Sequence, residues 1–138
     1  MAAPRPERMG YIRRAMPSQP IPPTIPPEHW QCDAGTDSVA VLDIPGLLER
    51  SRVFEVDVTL VVDVPSAPQG AWHELSLELD GKRQWCRRED TRNPGQTDGL
   101  DYHQQVRLAP EQGLRIRAVA QVKGCRIRQL LIEAREDS

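Results

Sequence analysis

Residues 52–64 read "RVFEVDVTLVVDV". Phe54, Val56, Val58, Leu60, Val62 and Val64 fall on one side of an extended chain; Glu55, Asp57, Thr59 and Asp63 fall on the other, with Val61 the exception. Side chains alternate in a strand, so this period of two predicts a half-buried strand. Its β-branched content supports the same reading.

The pattern continues outward from that strand. "PSAPQG" breaks it, and "HELSLEL" resumes it with Leu75, Leu77 and Leu79 on one side. Asp80-Gly81 then signals a two-residue hairpin turn. "LDYHQQVRL" sends Leu100, Tyr102, Val106 and Leu108 inward, and "LRIRAVAQV" sends Leu114, Ile116, Ala118, Ala120 and Val122 inward. Lys123-Gly124 reads as a further tight turn, and "CRIRQLLIEA" changes phase near Gln129, which predicts a bulge. Two weaker strands, "HWQCD" and "SVAVLDI", precede these, and "PGLLER" is expected to make one helical turn. Seven or eight short strands with frequent turns predict an all-β protein. The expected architecture is an antiparallel two-sheet β-sandwich, jelly-roll-like or immunoglobulin-like, over residues 29–138.

The N-terminal segment differs in kind. Eight of the thirteen prolines lie between Pro4 and Pro27. Proline fixes φ and has no N–H, so residues 1–28 are expected to be an extended, polyproline-like arm rather than helix or central strand. About 110 residues remain, enough for one core. The arm carries Arg5, Arg8, Arg13 and Arg14 against Glu7 and Glu28, a net +2; with −2 overall, the body carries −4. A net-acidic chain with 4% aromatic residues is a poor match for nucleic acid or an anionic membrane, so neither is expected as a partner.

Register decides what "WHELSLELDGKRQWCRR" (72–88) presents. A two-residue turn sets Glu78 opposite Arg83 and Glu74 opposite Arg87, and puts Trp85 on the charged face. A three-residue turn sets Leu75 opposite Trp85 and puts the indole in the core. A slip of one residue flips the strand, so one register holds. Asp-Gly and the two Glu–Arg pairs favour the first, with Trp85 on the outer face as a contact residue.

Chemistry-bearing motifs are sparse. No nucleophile elbow, phosphate-binding loop or dinucleotide fingerprint occurs. Cys32, Cys86 and Cys125 are an odd number, which does not suit a disulfide framework. His29 and Cys32 point to opposite faces, and His73 and Cys86 could meet on one face of the hairpin. Neither makes a four-ligand zinc set, so no metal and no cofactor is expected. The stretch 88–101, "REDTRNPGQTDGLD", reads as a long polar loop with carboxylates that could suit calcium, without the fixed spacing of an EF-hand. Part of the set Arg115, Arg117, Arg126 and Arg128, read as lying on adjacent strands of a hairpin, could form a positive stripe that meets an acidic partner, or could pair with Glu55, Asp57 or Asp63 across the sheet face. No signal-peptide pattern follows Met1 and no apolar run approaches about 18 residues, which gives a cytoplasmic expectation, including the interior of a particle.

These features favour a non-enzymatic structural or accessory subunit that docks through its arm onto a protein partner or another copy, as in a phage-like particle. The expected contact residues are Ile21, Pro22, Pro23, Ile25, Pro26 and Pro27 of the arm, with Trp85, Arg115 and Arg117. One alternative is a carbohydrate- or small-ligand-binding sandwich using Trp72, Trp85, Asp98, Asp101 and His103. Another is a small enzyme in which Asp101 orients His103 as a general base.

Overall fold

The structure, a computed structural model, describes residues 25–137. Ile21, Pro22 and Pro23 lie outside the described residues. Eight strands make up the fold: β1 (His29–Asp33), β2 (Val39–Ile44), β3 (Arg52–Asp63), β4 (Trp72–Leu79), β5 (Lys82–Asp90), β6 (Thr97–Leu108), β7 (Leu114–Lys123) and β8 (Arg126–Glu136). No helix occurs among the described residues, and so none that could cross a membrane.

The strands form two four-stranded antiparallel sheets, ordered β1-β8-β3-β6 and β2-β7-β4-β5. Pairing is nested: β4 with β5, β3 with β6, β2 with β7, β1 with β8. The chain is thus one long hairpin whose tip is Asp80-Gly81, rolled up so that β3 also meets β8 and β4 also meets β7. That is the jelly-roll order of the β-sandwich class.

The core lies between the sheets. Phe54, Val56, Val58, Leu60 and Val62 of β3 face Leu75 and Leu77 of β4 and Ile116 and Ala118 of β7, and Leu130, Ile132 and Ala134 of β8 close the layer. The inward residues anticipated on β3, β4, β6 and β7 are the ones that point inward. The bulge anticipated near Gln129 is present. Val61 pairs with Gln129 but Val62 with Ile127, leaving Arg128 as the extra residue.

Four local expectations fail. First, "PGLLER" is not helical, because the segment is tied across to the turn before β7: the Glu111 N–H donates to the Leu47 carbonyl at 2.6 Å. Gly46 packs so closely there that a Cβ would lie 2.4 Å from the Glu111 carbonyl oxygen.

Second, Lys123-Gly124 is not a hairpin. Gly124 has φ 71°, but it carries the chain from one sheet to the other, so Arg115 and Arg117 do not share a sheet with Arg126 and Arg128. Third, the loop after β5 spans only residues 91–96, since Arg88–Asp90 and Thr97–Asp101 extend β5 and β6. These are outermost strands, whose polar composition resembles loop.

Fourth, Trp85 faces inward. Asp80 and Gly81, at φ 50° and 83°, do form the two-residue turn, setting Leu79 opposite Lys82 and Glu78 opposite Arg83. One extra residue, Gln84, then shifts the register, so that Leu77 opposes Trp85, Leu75 opposes Arg87 and Glu74 opposes Arg88. A bulge of this kind lets the turn keep its geometry while the indole's large apolar surface reaches the interior side.

Candidate functional site

Three places combine charge with accessible or recently entered chain, and each follows from the strand pairing.

At the root of the arm, Glu28 precedes β1, and Arg50 and Arg52 open β3. Glu28 and Glu136 bond each other twice: the Glu136 N–H donates to the Glu28 backbone carbonyl at 2.8 Å, and the Glu28 N–H donates to the Glu136 side-chain Oε1 at 3.0 Å. Arg50 bonds both Glu136 carboxylate oxygens. Arg52, buried at 2% exposure, donates to Glu28 Oε1 at 2.7 Å and to the carbonyls of Pro45 and Gln112 at 2.8 and 3.4 Å. The Trp30 indole N–H donates to the same Glu28 oxygen at 2.9 Å. The hydrogen bond from Arg50 holds the Glu136 carboxyl below its ordinary pKa, and the same contact raises that of Arg50. Glu28 is thereby fixed in position, while Ile25, Pro26 and Pro27 just before it are exposed, Ile25 at 70%.

On the outer face of the β1-β8-β3-β6 sheet, register lines up His29, Arg135, Glu55 and Gln105 in one row and Gln31, Glu133, Asp57 and His103 in the next. The side chains link into one chain across all four strands. His29 Nε2 meets Glu133 at 2.8 Å, Arg135 meets Asp57 at 2.7 Å, and His103 meets Asp57 through Nδ1 at 2.8 Å and Glu55 through Nε2 at 2.6 Å. Gln105 donates to Glu55 at 2.8 Å. Each ring nitrogen of His103 thus faces a carboxylate, an arrangement that favours the protonated ring. Its pKa is raised, first by the hydrogen bond to Asp57 and then by that to Glu55.

The expected Asp101–His103 pair is absent from this network, because His103 lies in the Asp57 row and Asp101 opposes Thr59 in the next. Glu55 is held below its ordinary pKa, chiefly by Gln105, and Asp137 is raised by desolvation and by crowding against Glu55. This face and its margin carry seven carboxylates (Asp33, Glu55, Asp57, Asp63, Asp101, Glu133 and Asp137) against Arg107, Arg126, Arg128, Arg135 and two histidines.

The third place is the mouth where the outermost strands β5 and β6 face each other across the sandwich. Trp85 of β5 stacks on Tyr102 of β6, with centroids 4.6 Å apart and planes 14° from parallel. Gln104 Nε2 donates to Gln84 Oε1 at 3.2 Å beside them. An open cleft of about 400 Å³ is lined by both rings with Arg87, Glu89, Gly99, Leu100 and Asp101. Gly99 is needed here: a Cβ would lie 2.2 Å from the Leu60 carbonyl oxygen.

The remaining sequence candidates are dispersed. Trp72 lies on the outer face of the other sheet beneath the Arg88 guanidinium, 3.7 Å from the ring centroid. Arg115 pairs with Asp43 at 2.8 Å and Arg117 with Glu78 at 3.2 Å, so the expected positive stripe is matched locally by acids. Asp98 accepts from the N–H groups of Arg92 and Gly99. Among the described residues no three His, Cys, Asp or Glu side chains converge as a metal site, the 88–101 carboxylates included.

All three cysteines are free, and Cys86 is exposed. His73 and Cys86 point to opposite faces because the Gln84 bulge sets Cys86 opposite Ser76. His73, wholly buried, instead bonds Thr91 Oγ1 at 2.7 Å, and Thr91 lies 3.6 Å from the Cys125 sulfur. The sequence carries no signal for that contact or for the arm root, since both join residues far apart in the chain.

Among the described residues these features define an eight-stranded β-sandwich with an ion-paired cluster at Glu28, a cross-linked acidic face and an aromatic mouth. No family model matches the chain, and no curated protein matches its sequence. Among solved structures it is similar to dimeric latent PorU from Porphyromonas gingivalis, with a TM-score of 0.50 and 13% identity over 75% of this chain. The chain spans 10% of the length of that protein, and the likeness is one of fold.

Proposed function

We propose that the protein is a non-enzymatic assembly module whose basic arm docks on the acidic sheet face of a second copy. The observation that carries this reading is the arm root. A partly buried ion network fixes Glu28, yet Ile25, Pro26 and Pro27 immediately before it are exposed. A free tail has no use for a rigid exit, whereas a docking arm gains from one, because a fixed root reduces the entropy lost on binding. Polyproline chain is already stiff, which lowers that cost further.

Charge supports the choice of receiving surface. Arg5, Arg8, Arg13 and Arg14 are opposite in sign to the net-acidic outer face of the β1-β8-β3-β6 sheet, although Glu55, Asp57 and Glu133 are already paired within it.

A synthetic peptide of residues 1–27 titrated into a chain beginning at Ile25 tests the reading. Saturable binding that weakens with added salt, and weakens again in Glu55→Gln/Asp57→Asn, is expected. Absence of binding at low salt would contradict it.

A further inference from the structure

We infer that the arm adds to the second copy as a strand, with residues 7–16 laid along the open edge of β6. The inference rests on the docking proposed above and names its mode. The carboxylates of the receiving face are already paired within it, so side-chain charge alone offers the arm little new contact. The edge of β6 offers more. Among the described residues this strand pairs on one side only, with β3.

The ladder fixes which groups that edge presents. The Val64 N–H donates to the Gln96 carbonyl at 2.9 Å, and the β3–β6 register continues that opposition without a shift, from Asp63 and Thr97 to Arg52 and Leu108. Hydrogen-bonded and non-hydrogen-bonded pairs alternate along an antiparallel ladder. Even-numbered residues of β6 therefore bond β3, and odd-numbered ones turn both N–H and C=O away from it. The Gly99 N–H is taken by Asp98 Oδ1 at 2.8 Å. Asp101, His103, Gln105 and Arg107 remain, each with a donor and an acceptor directed at the open side. An extended segment pairs with such an edge through its main chain.

Length and charge choose among the outermost strands of the two sheets. β1 has five residues and β2 six, ended by Pro45, whereas β6 has twelve. β5 opens with Lys82 and Arg83 and is broken by the bulge at Gln84, which suits neither a basic partner nor a continuous ladder. On the arm, Pro6 and Pro17 bound a ten-residue run without proline, "ERMGYIRRAM". Residues 17–27 carry six prolines and so lack N–H groups that a ladder needs. Extended, the run sets Arg8 and Arg14 on one side and Met9 and Tyr11 on the other, with Ile12 and Arg13 the exceptions. The arginines then meet the acidic outer face. Met9 and Tyr11 fall on the inner side, where Tyr102 and Val106 of β6 are only half-buried.

The test uses the full chain at low salt, where the docking proposed above makes it self-associate. Ile12→Pro removes one main-chain donor from the arm without changing its charge. It is expected to weaken self-association about tenfold by sedimentation, while Ile12→Ala stays within about twofold of the parent. Arg107→Pro removes a donor from the open edge and none from the β3 ladder, and is expected to weaken association likewise. Charge alone predicts the reverse, since the acidic face loses a cation. The amides of Asp101, His103, Gln105 and Arg107 are expected to exchange their hydrogens more slowly in the associated parent than in Ile12→Pro. The Ile12 variants leave the body untouched and decide the matter should Arg107→Pro fail to fold. Parent-like association of Ile12→Pro, an equal loss in Ile12→Ala, stronger association of Arg107→Pro, or equal exchange of those amides in parent and Ile12→Pro would overturn the strand addition and leave the docking reading standing. A full chain that is monomeric at low salt removes both.

Discussion

The arm root and the β5–β6 mouth are built from the same residue types, a tryptophan beside arginine and glutamate, with opposite solvation. At the root, Trp30, Arg50, Arg52, Glu28 and Glu136 interlock, and the Arg52 side chain is 1% exposed. At the mouth, Trp85 stacks on Tyr102 while Arg87 and Glu89 remain in water. Burial decides what such a group does. A buried arginine with several acceptors fixes backbone, because losing any partner leaves an uncompensated charge. A solvated one contributes little to stability and is free to meet a ligand.

The largest effect that could break this contrast is at Arg52. Arg52→Ala removes a buried guanidinium that donates to Glu28 and to the Pro45 and Gln112 carbonyls, leaving Glu28 with Trp30 and Arg50 alone. It is expected to cost about 3–5 kcal/mol in denaturant unfolding. A cost near that of Arg87→Ala, which should stay within about 0–1 kcal/mol, would remove the distinction.

Deleting Gln84 comes next. Without the bulge, the Asp80-Gly81 turn sends Trp85 to the outer face, and the stack on Tyr102 is lost. A loss of about 2–3 kcal/mol and a red-shifted tryptophan emission are expected. Unchanged emission would mean that the strand keeps its register by some other means.

A smaller effect sharpens the comparison with the exposed acidic face. His103 has a raised pKa in the folded state, so its contribution is full below the ordinary histidine value of about 6.5 and is lost as pH rises through the folded value. The melting temperature of the parent should therefore exceed that of His103→Gln most at pH 5. The gap should narrow toward pH 8. A gap that widens with rising pH would show that the ring is neutral at low pH. The smallest effect is at Arg115, whose partner Asp43 is as solvated as itself. The pair lowers the Asp43 pKa through its hydrogen bond, yet Arg115→Ala should barely move the unfolding midpoint.

The fold was largely legible because period-two alternation is a local property. The inward sets of β3 and β7 and the Asp80-Gly81 tip follow from neighbouring residues alone. What escaped was decided at long range. The register of β5 depends on one bulge residue, Gln84, whose side chain is met by Gln104 from the other sheet.

Gly124 turns the chain with the same positive φ whether the next strand pairs back or crosses over. The pairing of β8 with β3 and of β7 with β4 is what makes it a crossover. Strand ends such as Arg88–Asp90 read as loop because outermost strands tolerate polar residues on both faces. Glu28 looked like the last residue of a basic arm, and nothing nearby in the sequence announces Arg52 or Glu136 as its partners.

If residues 1–27 dock on a second copy, self-association must depend on them and on salt. Sedimentation measurement of mass for the full chain and for a chain starting at Ile25, each at low and high salt, tests it directly. Expected are a self-associated full chain at low salt, its dissociation at high salt, and a folded monomer for the shortened chain at both. A full chain that is monomeric at low salt, or a shortened chain that associates equally well, would contradict the account.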